Sequence, residues 1–92
     1  MKIYKIVIEK IALKFIMSQP KNQQTRIFKA IHKLPEGNSI KALQGQVNTF
    51  RLRVGDYRII YQLIPNGKEN EAEIILVDVI DAGNRGQIYK GY

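Results

Sequence analysis

The chain has 92 residues, with 15 Lys and Arg against 8 Asp and Glu, a formal charge of +7, 45% hydrophobic residues and no cysteine. That length makes a single domain, 1–92, able to bury a small core of its own. The lack of cysteine excludes a disulfide framework, a thiolate metal site and a thiol nucleophile, while the charge calls for a polyanionic partner: nucleic acid, an acidic protein or an anionic membrane surface.

The opening MKIYKIVIEK is too interrupted by Lys and Glu to be a signal-peptide core, and no run approaches a membrane span. A soluble cytoplasmic protein is expected. Residues 2 to 8, KIYKIVI, are β-branched and aromatic with partial alternation and predict the first strand. From Glu9 to Met17 the apolar positions Ile11, Ala12, Phe15 and Ile16 make one helical stripe. Ser18-Gln19-Pro20 breaks it, and a second helix should start there, since proline is tolerated in a first turn. Its inward stripe is Ile27, Phe28 and Ile31, its outward side carries Lys21, Gln24, Arg26, Lys29 and Lys33, and Leu34-Pro35-Glu36-Gly37 stops it.

Residues 36 to 48 read as an irregular polar connection anchored by Leu43. The next stretch, FRLRVGDYRIIYQ, predicts a hairpin turning at Gly55-Asp56, with Gly first as a type II′ turn prefers. In that register Phe50, Leu52, Val54, Tyr57, Ile59 and Tyr61 share a core face. Arg51, Arg53 and Arg58 crowd together on the other face, where like charges repel. The second strand should run to about Leu63-Ile64 and turn at Pro65-Asn66-Gly67. AEIILVDVID, 72 to 81, has the near-continuous aliphatic character of a central strand, and AGNRGQIYKGY leaves room for a short final turn or helix. The fold expected is α+β, in the order β-α-α-β-β-β: a mostly antiparallel sheet with the two N-terminal helices packed on one face. The other face is left to solvent or a ligand.

KALQGQVNTFRLRVGDYRIIYQL, 41 to 63, and VIDAGNRGQIY, 79 to 89, resemble the RelE/ParE toxin superfamily. The shared pattern is a Leu–Gly connection, an aromatic-Arg-Leu-Arg-Val strand, Gly-Asp-Tyr-Arg leading to Ile-Ile-Tyr, and a closing Arg with a Tyr four residues on. The resemblance implies the toxin of a type II toxin–antitoxin pair, held by a cognate antitoxin. RelE-like members cut mRNA on the ribosome without metal or cofactor; ParE-like members poison DNA gyrase. By similarity Arg58 matches the strand arginine that stabilises the transition-state phosphate. Arg51 and Arg53 stand where basic strand residues lie, and Arg85 and Tyr89 match tail residues near the cleavage site. The catalytic set this implies is Arg58, Arg53 and Tyr89, with Arg51, Arg53 and Arg85 on RNA.

Metal-free RNA cleavage needs cations at the phosphate oxygens, which guanidinium forks supply, and an acid and a base for two proton transfers. The acid and base are the hard part. His32, the only histidine, sits late in the second helix, and Asn84 and Gly83 occupy positions where some relatives carry a histidine and a further arginine. Tyr89 and Asp81 are the remaining candidates, because an arginine, with a pKa above about 12, is a poor base. Asp78 and Asp81, three apart, point to opposite faces of a regular strand and so form no dyad. No spacing of metal ligands or phosphate-binding glycine loop is present. Three readings follow: a ribosome-dependent endoribonuclease, a gyrase inhibitor on the same fold, and an antitoxin-binding module without activity. The plain alternative for the arginines, a solvated face, stands beside all three.

Overall fold

The computed structural model describes residues 1–37 and 39–84; Arg85, Tyr89 and the rest of the tail lie outside the described residues. In chain order the elements are β1 (Lys2–Ile8), α1 (Lys10–Met17), α2 (Lys21–His32), β2 (Ile40–Ala42), β3 (Thr49–Val54), β4 (Tyr57–Glu69) and β5 (Ala72–Asn84). The strands form one sheet in the order β1-β5-β4-β3-β2. β1 runs parallel to β5, and the other neighbouring pairs are antiparallel. This is the α+β arrangement read from the sequence, with one strand more. β2 lies inside the segment expected to be irregular; at three residues it is too short to show an alternation. Ile40, not Leu43, packs against the core from this segment.

The core lies between the helices and one face of the sheet. Ala12 and Ile16 of α1 and Ile27 and Ile31 of α2 meet Leu52, Val54, Ile59, Tyr61, Val77, Val79 and Ala82. Each large aliphatic or aromatic side chain taken out of water there contributes about 1.5–3 kcal/mol. Ile11, expected in the α1 stripe, is 64% exposed. The i, i+4 pair Ala12 and Ile16 takes the centre of the contact, and Ile11 is turned about a hundred degrees away from Ala12 around the helix. Gln24, read as outward, is half-buried instead. Its side-chain amide donates to Met17 O at 3.1 Å and Gln19 O at 2.9 Å, serving carbonyls that the end of α1 leaves open.

The β3–β4 hairpin has the predicted register throughout, from Val54 opposite Tyr57 to Phe50 opposite Tyr61. Gly55 has φ +58° at the first turn position, as a type II′ turn requires. Phe50 and Tyr61 stack at 5.4 Å, and Phe15 meets Tyr57 edge-on at 5.9 Å, so both hairpin tyrosines are structural, as read. Burial pushes the Tyr61 phenol up to about 12.

The second hairpin departs from expectation. Pro65-Asn66-Gly67 is not the turn: β4 continues through it with a bulge to Glu69, and the chain reverses at Asn70-Glu71, whose φ values of +49° and +70° fit a type I′ turn. A second bulge changes the chemistry of β5. Tyr61 pairs with Val79 but Ile60 pairs with Asp81, so Ile80 is an extra residue.

Candidate active face of the sheet

The face turned away from the helices is laid out in rows by the strand register. Thr49, Gln62 and Asp78 make one row across β3, β4 and β5, Arg51, Ile60 and Asp81 the next, and Arg53, Arg58 and Gly83 the third. Paired residues in adjacent strands share a face, so the three arginines are brought together as the sequence predicted. Asp78 and Asp81 are not separated as predicted. The extra residue at Ile80 restores the parity that three regular steps would break, and both carboxylates come to the arginine face.

Within this face Arg58 is the anomaly. It is 4% exposed. Its Nη1 donates only a long bond, 3.4 Å, to Tyr57 O, and its buried Nε meets no acceptor. Among the described residues no carboxylate lies within ion-pair distance of it; the Lys5–Glu69 ion pair is exposed and elsewhere. A guanidinium held out of water with neither countercharge nor full hydrogen bonding costs several kcal/mol. Ile60, fully buried in the middle row, forms the apolar floor beside it. Arg51 is half-buried and borders a hollow of about 360 Å³ with Lys41, Ala42, Leu43 and Gln44. Arg53 is exposed at the edge of the sheet beyond β2.

Asp81 is tied down: its Oδ1 accepts the Ala82 backbone N–H at 2.9 Å. Asp78 Oδ1 is buried with no hydrogen-bond partner, beside Gln62, whose amide reaches Thr49 Oγ1 at 3.4 Å. His32 is exposed in the last turn of α2, away from this face as expected. Arg85 and Tyr89 are not among the described residues. No group of three or more His, Cys, Asp or Glu that could hold a metal comes together among the residues that are.

A family model described as ParE toxin of type II toxin-antitoxin system, parDE, matches residues 3–85. The chain belongs to that toxin family. Solved structures agree on the fold of this RelE/ParE-type toxin. The RelB–RelE antitoxin–toxin complex from Methanococcus jannaschii superposes with a TM-score of 0.61 at 23% identity, covering 94% of this chain and 98% of that one. The RelE–RelB complex from Pyrococcus horikoshii gives 0.60 at 26%, with 91% and 97% covered. The toxin–antitoxin complex RelBE2 from Mycobacterium tuberculosis gives 0.59 at 16%, with 89% and 98% covered. No curated protein sequence matches significantly.

One part of the toxin's surface escaped sequence reasoning. Arg26, Lys29 and Lys33 were placed on the outward side of the second helix, but not next to anything. The structure sets them against Arg53 around a groove of about 450 Å³ that also includes Glu36 and Ser39. Arg26 lies over the hairpin tip, where a Cβ added to Gly55 would stand 2.9 Å from its Nη1. The i, i+3, i+7 spacing of the three cations was the available signal; the neighbouring Arg53 could come only from the tertiary fold.

Proposed function

We propose that this toxin is a metal-independent, ribosome-dependent endoribonuclease, cleaving mRNA by attack of a ribose 2′-hydroxyl on the adjacent phosphate. The observation that carries this reading is the buried Arg58 guanidinium, without a carboxylate partner among the described residues and flanked in register by Arg51 and Arg53. An incoming phosphate supplies the missing countercharge. Guanidinium forks bind phosphate oxygens bidentately, and the burial that makes Arg58 costly in the free protein strengthens its hold on charge developing in the transition state. Arg58 and Arg53 act on the scissile phosphate with Tyr89, while Arg51, Arg53 and Arg85 hold the RNA backbone. A cognate antitoxin is the natural partner, since the solved relatives are toxin–antitoxin complexes; its acidic groups would occupy the same cations.

The test is to express the chain alone under tight control and map mRNA 5′ ends within minutes. New ends at a fixed position within translated codons are expected, and Arg58→Ala should abolish them along with growth arrest.

A second reading has its own support, since the matching family model is the ParE one. Under it DNA gyrase is the target, and the same induction would leave mRNA uncut while plasmid supercoiling is lost.

A further inference from the structure

We infer that Asp81 is the general base of this face, accepting the proton of the attacking 2′-hydroxyl; the inference rests on the ribonuclease reading. The sequence places Asp81 at a strand end with no decided face. The bulge at Ile80 decides it. Asp81 stands opposite Ile60, and Arg58 stands opposite Gly83, so Asp81 and Arg58 are diagonal neighbours on one face of adjacent strands. Such neighbours lie about 7–8 Å apart at the backbone, close enough for a long side chain and a short one to engage a single phosphodiester between them. Direct pairing has not consumed either group: no Arg58–Asp81 ion pair forms. A gap between a carboxylate and an arginine that do not neutralise each other is what a ribose and its 3′-phosphate would bridge.

The carboxylate is also oriented. The Ala82 N–H fixes Oδ1 at 2.9 Å, leaving Oδ2 without a hydrogen bond from any described residue. Asp78, the other carboxylate brought to the face, belongs to a different row, beside Gln62 and two rows, four residues along β4, from Arg58. It is too far along the strand to serve the same phosphate.

The step balances without a further reactant. Asp81 takes the proton from the 2′-hydroxyl as O2′ bonds to phosphorus, and the P–O5′ bond breaks. The departing 5′-oxygen takes a proton from solvent, leaving a 2′,3′-cyclic phosphate on the upstream fragment. Asp81 then returns its proton to solvent. Arg58 offsets the charge on the phosphate oxygens throughout.

Asp81→Asn separates this role from a structural one, because the amide oxygen can still accept the Ala82 N–H while the base is lost. The measurement is single-turnover cleavage of a synthetic mRNA on programmed ribosomes, with RNA affinity and thermal midpoint measured on the same preparations. Cleavage should fall roughly a hundredfold or more, the usual worth of a general base. RNA affinity should stay level or tighten, since a negative charge leaves a cationic face. Asp78→Asn should cut within about threefold of the unaltered protein, well short of a general base's contribution. An Asp81→Asn protein cutting at the unaltered rate overturns the assignment and leaves the ribonuclease reading standing. So does a loss of cleavage matched by an equal loss of RNA binding. If the unaltered toxin forms no cyclic phosphate, the ribonuclease reading falls and Asp81's role with it.

Discussion

At the scale of single residues, the role proposed for Arg58 sets function against stability. Its burial without a described countercharge makes it a liability in the free protein, so an apolar side chain of similar length should be better tolerated there than the native one. Arg58→Met is expected to raise unfolding free energy by about 1 kcal/mol or more while removing toxicity; denaturant titration and growth assays read the two effects separately. Tyr61 gives a second test. Its folded pKa of about 12 exceeds the ordinary 10, so between those values the folded protein holds a proton that the unfolded chain has released. Its contribution is fully present below pH 10 and is lost as pH climbs to 12, a fall of roughly 2–3 kcal/mol that Tyr61→Phe should abolish. How these residues pair was legible from the alternation of FRLRVGDYRIIYQ alone. How deeply they are buried was not, because burial depends on what β5 and the rest of the fold bring alongside. Asp81 was unreadable for another reason: a bulge leaves no mark on the local pattern, and one extra residue reverses the face of everything after it.

At the scale of elements, turn chemistry explains both the success and the miss. Gly-Asp between alternating strands has one natural turn, and the structure takes it. Pro65-Asn66-Gly67 looks like the stronger signal, yet the β4 ladder absorbs it as a bulge and carries on to Asn70-Glu71. Glutamate at φ +70° is poorly suited to its place. Glu71→Gly should therefore stabilise the protein by up to about 1 kcal/mol, seen as a higher thermal midpoint, through relief of left-handed strain. The helices were found at nearly their true bounds, because Pro20 and the Leu34-Pro35 stop are unambiguous. Ile11 was assigned to the wrong side, since four apolar residues on a two-turn helix exceed what one narrow contact can bury. Ile11→Glu is accordingly expected to shift stability by no more than about 0.5 kcal/mol in a denaturant titration.

At the scale of the molecule, charge is distributed unevenly. Arg26, Lys29, Lys33 and Arg53 line one groove in which Glu36 is the carboxylate, while Glu69, Glu71 and Glu73 around the far end of the β4–β5 hairpin have Lys2, Lys5 and Lys68 beside them. Under the ribonuclease proposal RNA meets the basic end, and its affinity should fall linearly with salt on logarithmic axes. Replacing Arg26, Lys29 and Lys33 together with Gln should flatten that slope by about 2, since each phosphate contact contributes roughly 0.7–0.9. The parallel pairing of β1 with β5 adds a constraint in time. β1 is made first, yet its one neighbour among the described strands spans residues 72–84, and the rows that hold Asp81 and Gly83 beside Ile60 and Arg58 wait for that same strand. A chain still being translated through β4 already carries Arg51, Arg53 and Arg58, but on an unfinished surface. On the proposed reading of this face, the toxin is disarmed by its own topology during synthesis, and the interval before β5 docks is when a waiting partner could capture it.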